Sequence, residues 1–402
     1  MRRAPALFLF ACLPIAAQVA PIPTPTQLPG TPFSIKKQWI IGGTGSWDYL
    51  TLDTAAQRLY IAHGRIVQVV DLNSGSVVGE ISGFREAHQI ALDDTGTYGY
   101  VSDGRAGAVA VFDRRTFEVE SRITIGCSPR SIAYEPQSKL VFAICSANPA
   151  VPPPSSNLQK PVTSHVIAID AESNTVLADM IMGGDFRFAQ ADGRGQVDVI
   201  VYPAYRFRPQ QIAELDGPAI AAEAHRRLEA DSQKPSPGQA LVIDWSEKSP
   251  PGSLVHFLVP AACQDPQSIA VDSKNSRIFA ACNDQQLVVL NASNGLAVTT
   301  LTTGPGDDVI GYDPDRELIF SANGAGYGSL TIIQQDANTD TYAVIQNLPT
   351  LARARTLAVD PSSGNVYLVT DYMGVDLSPR GSFTTIKPAA IAGSFQVLVV
   401  GR

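Results

Sequence analysis

Two short anchors recur seven times along the chain, and their spacing limits the fold more than any other feature. The first anchor is an apolar residue or tyrosine followed by an acid, at Asp53, Asp93, Glu135, Asp192, Asp272, Asp313 and Asp360. The second resembles Val-Val-Asp and ends at Asp71, Asp113, Asp170, Asp244, Asn291 and Gln334, with Val399-Val400 as the seventh. From each second anchor to the next first anchor the separations are 22, 22, 22, 28, 22 and 26 residues. The chain is therefore a sevenfold repeat.

Runs rich in Val, Ile, Tyr and Phe lie between the anchors, and their composition is typical of alternating β-strands. Four strands, called a to d from the first anchor onward, fit in each unit of about 40 residues, which is the spacing of propeller blades. The fold class predicted is all-β, a seven-bladed β-propeller of four-stranded antiparallel blades. Residues 36–43 have the pattern of strand d and residues 396–400 that of strand c, so we expect the N-terminal strand to close the last blade.

The insertions fall between strands b and c, at residues 146–164, 203–238 and 371–394. In an antiparallel blade the b–c and d–a connections lie on the same face of the disc, so one face is elaborated. Loops on a rigid scaffold commonly bind ligands or partners. Tolerated growth of surface loops is an equal alternative, because long insertions cost little closure entropy.

The N-terminal segment predicts export. Residues 1–20 contain Arg2, Arg3 and an apolar run, as in a signal peptide, and residues 21–32 form a Pro-rich linker before a single propeller over 33–402. A lipoprotein anchor at Cys12 is a minor alternative. No later stretch has the roughly 18 apolar residues of a membrane helix. We expect a periplasmic or secreted monomer, and the net charge of −8 disfavours nucleic acid as a partner.

The strand a and b signatures resemble those of the YVTN/YncE-like β-propeller family. They are CSPRSIA at 127–133 followed by LVFA at 140–143, and SIAVD at 268–272 followed by IFA at 278–280. The stretches 47–53, 354–360 and 397–402 resemble an exported bacterial subgroup. The resemblance spans residues 39–402 and implies a propeller without a shared catalytic set.

Four cysteines form two similar frames, each running from just before strand a to the end of strand b. Those positions are neighbours in an antiparallel hairpin, so we predict the disulfides Cys127–Cys145 and Cys263–Cys282. Four buried free thiols are the alternative. A zinc site is disfavoured because the pairs lack Cys-x-x-Cys spacing. We expect no metal and no cofactor.

We expect the d–a turn and the start of strand a to place side chains from all seven blades at the mouth of the central channel. The ligand-binding candidates are Trp47, Asp48, Tyr49, His88, Arg130, Arg187, Gln267, Asp308 and Arg355. Several Arg side chains with one His could hold a small polar or anionic ligand. These groups could equally pair with one another. His88 is the best candidate for acid–base catalysis, with a structural histidine as its alternative.

Two functions remain open. A ligand-binding or protein-interaction scaffold, using the elaborated face and the channel mouth, is favoured over an enzyme. The alternative is a lactonase-like hydrolase or a lyase with its site at the channel mouth, and it rests on fold analogy.

Overall fold

A computed structural model describes residues 32–43, 45–145, 163–202, 239–244, 253–258, 263, 265–380 and 383–402. The predicted signal peptide and all but the last residue of the linker lie outside these ranges. The insertion at 203–238 and nearly all of that at 146–164 lie outside them too. In the part of the chain that the structure describes, no helix is long and apolar enough to cross a membrane.

Seven four-stranded antiparallel sheets form the blades, and each strand a to d pairs with the next. Blade 1 contains β2 (Trp47–Asp53), β3 (Arg58–His63), β4 (Ile66–Asp71) and β5 (Val77–Ile81). Blade 2 contains β6 (Ala87–Leu92), β7 (Tyr98–Asp103), β8 (Ala108–Asp113) and β9 (Val119–Thr124), with a 3₁₀ turn at Gly104–Ala106. Blade 3 contains β10 (Pro129–Glu135), β11 (Leu140–Cys145), β12 (Thr163–Asp170) and β13 (Thr175–Gly183).

The remaining blades follow the same plan. Blade 4 contains β14 (Asp185–Ala191), β15 (Gln196–Tyr202), β16 (Gln239–Asp244) and β17 (Ser253–Leu258). Blade 5 contains β18 (Pro266–Asp272), β19 (Arg277–Cys282), β20 (Gln286–Asn291) and β21 (Ala297–Thr302). Blade 6 contains β22 (Asp307–Asp313), β23 (Leu318–Asn323), β24 (Ser329–Asp336) and β25 (Thr341–Pro349). Blade 7 contains β26 (Thr356–Asp360), β27 (Asn365–Thr370), β30 (Gln396–Gly401) and β1 (Ser34–Ile40).

The last blade closes as predicted, because β1 from the N-terminus pairs antiparallel with β30 from the C-terminus. The innermost strands, one from each blade, contact their neighbours in an unbroken circle from β2 round to β26 and back to β2. Gln346 adds a link between blades 6 and 7. Its side-chain amide accepts from the Phe33 N–H at 2.9 Å and donates to the Phe33 carbonyl at 2.8 Å. The predicted seven-bladed propeller is confirmed.

The middle strands of the blades are buried on both faces. All six residues of β11 are buried, and so are five of the six in β3. The expected alternation of buried and exposed residues is therefore wrong for these strands. Each blade packs between two neighbours, which favours continuous apolar runs.

The acids of the two anchors close tight turns. Asp53 Oδ1 accepts the Ala56 N–H at 2.9 Å after strand a, and Asp71 Oδ1 accepts the Ser74 N–H at 2.8 Å after strand c. Such local bonds satisfy turn backbone that would otherwise lack a partner. In blade 6 Gln334 occupies the anchor register, but the cap comes from Asp336, which accepts the Asn338 N–H at 3.0 Å. In blade 6 the acid that caps this turn therefore lies two residues after the anchor position.

The insertion in blade 7 folds as a β-hairpin of β28 (Met373–Arg380) and β29 (Phe383–Ala390). It lies between β27 and β30, in the b–c connection predicted for residues 371–394. At its base the Ile391 N–H donates to the Tyr372 carbonyl at 2.8 Å.

Both predicted disulfides are present. Cys127 bonds to Cys145 and Cys263 bonds to Cys282, closing sequence separations of 18 and 19 residues. Each joins the d–a loop to the end of strand b, and Cys145, Cys263 and Cys282 are fully buried.

Removing one disulfide should destabilise the protein without unfolding it. Cross-links that close loops of this length contribute about 3 kcal/mol, largely by restricting the unfolded chain. We expect the double variant Cys127→Ser/Cys145→Ser to lose about that free energy of unfolding, measured by urea denaturation. Under reducing conditions the difference from the unmodified protein should shrink. Equal stability of both proteins under oxidising conditions would contradict the pairing.

Candidate functional site

The rim of the channel is formed where strand a is irregular. In six blades the pairing of strands a and b shifts register at the start of strand a, as in Pro129/Ser131 and Asp307/Val309. A bulge leaves its extra residue unpaired and redirects its side chain. The predicted rim residues occupy these bulges, except in blade 7, where the candidate immediately precedes β26. They are Asp48, His88, Arg130, Arg187, Gln267, Asp308 and Arg355, each five residues before the first-anchor acid.

In blades 2, 3, 5 and 7 the rim residue follows a d–a loop that is fastened to the end of strand b. In blades 3 and 5 the fastener is a disulfide. In blade 2 the buried Asp103 carboxylate accepts the Arg85 N–H at 3.1 Å and the Glu86 N–H at 2.9 Å. In blade 7 the Thr370 hydroxyl donates to the Ala352 carbonyl at 2.7 Å. A disulfide, a carboxylate or a hydroxyl thus holds the d–a loop at equivalent positions in these blades.

His88 and Asp48 join blades 1 and 2 at the rim. The Nδ1 of His88 lies 2.7 Å from Asp48 Oδ2, which makes a hydrogen bond. The other ring nitrogen, Nε2, lies 3.7 Å from a Glu86 carboxylate oxygen. It is also covered by Gly104, where an added β-carbon would come within 2.6 Å. His88 is only 8% exposed. Its position suits an imidazole that bridges two carboxylates better than one that exchanges protons with the channel.

Two rim arginines are engaged by carboxylates. Arg187 Nε lies 2.9 Å from Asp185 Oδ2 in blade 4, and Arg355 Nε lies 3.5 Å from Asp308 Oδ2 between blades 6 and 7. Burial raises the pKa of Asp308 to about 6, although Arg355 opposes this shift; Asp48 adds to it. Asp308 is therefore partly protonated slightly below neutral pH.

Tyr49 lies just below the rim. Its ring packs across the channel on Phe188 of blade 4, with ring centroids 5.1 Å apart. Burial raises its pKa well above the ordinary value, the nearby Asp48 and Asp308 carboxylates add to this, and Arg130 and Arg187 oppose it. Rim charges of both signs thus act on the pKa of Tyr49.

Two polar groups at the mouth have no partner among the described residues. The Tyr49 hydroxyl forms no hydrogen bond to another described residue. A buried tyrosine hydroxyl normally has a hydrogen-bond partner. Arg130 is exposed and forms no salt bridge to a described carboxylate. The positive charge of Arg130 lowers the pKa of Tyr49, opposing the effect of burial.

The other two sequence candidates have different surroundings. Trp47 is only 4% exposed and packs against Phe395 at 5.2 Å, with the Arg353 guanidinium 4.6 Å from its ring. It therefore supports the wall behind the rim. Gln267 is half-buried, and its side-chain amide donates to the Asp265 carbonyl at 3.2 Å.

A second ring of charges was missed from the sequence. Glu86, Asp185, Asp265 and Arg353 lie two residues before the rim position of their blades. Glu86 contacts His88 and Asp185 pairs with Arg187. Arg353 pairs with Asp371 at 2.6 Å. Extending the repeat register by two residues would have identified this ring. No three His, Cys, Asp or Glu side chains of the described ranges are grouped as metal ligands.

Comparison with solved structures identifies the fold. A structure titled "Structure of U3-55K" superposes with a TM-score of 0.60 at 10% identity, covering 91% of this chain and 98% of the other. "Crystal structure of RRP9 WD40 repeats" gives a TM-score of 0.62 at 10% identity, covering 92% and 97%. No protein-family model matches the chain, and no curated protein sequence does. At this identity the similarity extends to the propeller fold alone.

Proposed function

We propose that this chain is an exported, non-catalytic propeller that binds a small monoanionic ligand at its channel mouth. The protein also acts as a scaffold. The b–c loops of the same face offer a surface for a protein partner. The likeness to the structure of the RRP9 WD40 repeats supports a propeller as the scaffold. The sequence resemblance supports membership of the YVTN/YncE-like family and its exported subgroup.

Arg130 carries the proposal. Most charged groups of the mouth are compensated, since Asp48 pairs with His88, Arg187 with Asp185 and Arg355 with Asp308. Arg130 is the rim cation without a carboxylate among the described residues. A guanidinium presents forked donors that match a carboxylate, and the Tyr49 hydroxyl adds another donor. One available cation favours one negative charge on the ligand.

Export is supported by the cysteines and by the first twenty residues. Structural disulfides persist in oxidising compartments and are rare in the cytosol. Three of the four disulfide cysteines are fully buried, and both disulfides fasten loops that carry rim residues. A signal peptide over residues 1–20 would deliver the chain to such a compartment.

Replacing Arg130 should weaken anion binding. We expect Arg130→Gln to lower the affinity for the best anion in a panel of phosphate, acetate, succinate and benzoate by about tenfold or more at pH 7, because a charge-assisted hydrogen bond is lost. Isothermal titration calorimetry measures this. Arg115→Gln is the matched control, since Arg115 is exposed in the c–d turn of blade 2 on the opposite face. Equal losses in both variants, or no binding by the unmodified protein, would contradict the proposal.

Anion affinity should rise as the pH falls through about 6. The raised pKa of Asp308 means that the carboxylate gains a proton in this range, which removes a negative charge from the mouth. Benzenesulfonate is the suitable probe because its own charge stays constant. We expect Asp308→Asn to bind this probe with the same affinity on both sides of pH 6. A slope that persists in the variant would assign the titration to another group.

A lactonase-like hydrolase or a lyase is the second candidate, and the His88–Asp48 hydrogen bond is the observation that favours it. A carboxylate that orients an imidazole is a recurrent part of acid–base catalysis. Gly104 lies against His88 Nε2, and this close packing argues against a catalytic role for the imidazole. An enzyme of this kind predicts turnover of a lactone panel, lost in His88→Ala and retained in His63→Ala. Unchanged turnover in His88→Ala would remove His88 from the mechanism.

A further inference from the structure

One position of strand b carries an aromatic ring in every blade except blade 4. It is the position that pairs with the strand-a residue two places before the first-anchor acid. The rings belong to Tyr60, Tyr100, Phe142, Phe279, Phe320 and Tyr367, and all are buried. In blade 4 the same position is occupied by Asp198, which is 3% exposed.

The strand-a partner of this position also differs in blade 4. Opposite the rings, strand a has alanine in four blades, Thr51 in blade 1 and Gly311 in blade 6. Opposite Asp198 it has Gln190. Blade 4 thus has two polar side chains where the other blades have a ring and a small residue.

The rings of this position pack against the following blade. Tyr60 of blade 1 contacts Phe112 of blade 2, with ring centroids 5.8 Å apart, and Phe279 of blade 5 contacts Tyr312 of blade 6 at 5.2 Å. Asp198 therefore lies where blade 4 would otherwise pack a ring against blade 5. We call the contact between these two blades the 4/5 seam.

The surroundings of Asp198 are apolar, and its carboxyl group has no hydrogen bond or ion pair to a described residue. Its cross-strand neighbour on β16, Val242, belongs to an apolar cluster that also contains Ile269 of β18 in blade 5. Burial raises the pKa of Asp198 to about 8; the Asp192 carboxylate adds to this shift and Arg194 opposes it.

The other charged groups of the adjoining inner strands are engaged elsewhere. On β14, Arg187 Nε lies 2.9 Å from Asp185 Oδ2 at the rim. On β18, the Asp272 carboxylate accepts from the Tyr312 hydroxyl of blade 6 at 3.1 Å. The two charges that act on Asp198 thus come from the a–b turn of its own blade.

The inner strand of blade 4 also differs at a second position of the 4/5 seam. Four residues before the first-anchor acid, the Ser131 hydroxyl of blade 3 accepts a backbone N–H of blade 4 at 2.9 Å. At the same position the Ser268 hydroxyl of blade 5 donates to a backbone carbonyl of blade 6 at 2.7 Å. Blade 4 has Phe188 here, whose side chain cannot form such a bond. Across the 4/5 seam the Ser273 hydroxyl donates to the Asp192 carbonyl at 2.8 Å.

We propose that the 4/5 seam is a pH-sensitive contact, which a protonated Asp198 stabilises and an ionised Asp198 weakens. A neutral carboxyl group fits an apolar position, whereas a buried carboxylate without a partner carries a large desolvation penalty. The same inner strand of blade 4 carries Arg187 of the rim and Phe188, which contacts Tyr49. Weakening of the seam therefore reaches the channel mouth.

The direction of the pH dependence follows from the two protonation states. The pKa of Asp198 is about 8 in the folded chain and about 4 in an unfolded one, so the folded state retains the proton between these values. The stability that this group contributes is complete below about pH 4, declines as the pH rises and is lost above about pH 8.

Replacing Asp198 by a neutral isostere should remove this decline. Calorimetry measures the Tm at pH 5 and at pH 9. We expect the Tm of the unmodified protein to fall by at least about 5 °C more than that of Asp198→Asn over this range. Asp315→Asn is the matched control, because Asp315 is exposed in the a–b turn of blade 6, and it should fall like the unmodified protein. Equal falls in the unmodified protein and Asp198→Asn would overturn the proposal.

A double variant tests the same position independently of the asparagine. Gln190→Ala/Asp198→Phe gives blade 4 the pair that blade 5 has in Ala270 and Phe279. We expect a higher Tm than that of the unmodified protein at pH 9 and the same small pH dependence as in Asp198→Asn. A fall in Tm as large as that of the unmodified protein would contradict the role of Asp198.

Hydrogen exchange at pH 8.5 tests whether the effect is local to the seam. Comparison of Asp198→Asn with the unmodified protein at one pH leaves the intrinsic exchange rates equal. We expect slower amide exchange in β15 and β18 of the variant, and equal exchange in β3 and β6 at the contact between blades 1 and 2. Equal slowing at both contacts would overturn the assignment to the 4/5 seam.

Discussion

The fastening of the d–a loop to the end of strand b, present in blades 2, 3, 5 and 7, is the constraint on which the mouth depends. The loop leads into strand a, and in six blades the bulge that follows releases the rim residue from strand pairing. Without a fixed loop the bulge would have no defined direction. Disulfides serve in blades 3 and 5, and Asp103 and Thr370 serve in blades 2 and 7. The rigidity of the site is thus built into the repeat.

Electrostatic compensation explains why a mouth with many charges has few that are available. Carboxylates hold His88, Arg187 and Arg355, whereas Arg130 lacks a carboxylate partner among the described residues. At the opposite ends of the inner strands the buried Arg114 bridges Asp53 at 2.5 Å and Asp93 at 3.1 Å, joining blades 1 and 2. Breaking this buried ion pair would leave an uncompensated charge. Arg114, Asp53 and Asp93 therefore stabilise the ring and are not available to bind a ligand.

The sequence predicted the blade count, the shared last blade and both disulfides, because each depends on position within a repeat. It could not predict partners from other blades. The bond between Asp48 and His88 joins residues 40 apart, and Tyr49 meets Phe188 across the channel. The bulges were also invisible, since they depend on pairing between strands. The displaced cap at Asp336 was missed because the anchor register alone pointed to Gln334.

A crystal structure of the protein soaked with 4-bromobenzoate tests the central claim most directly. The bromine gives an anomalous signal that marks the ring, and the electron density shows the carboxylate. The account predicts one ordered molecule at the channel mouth, with its carboxylate beside Arg130 and the Tyr49 hydroxyl. Ordered 4-bromobenzoate only at positions away from the channel, with the mouth occupied by water, would contradict it.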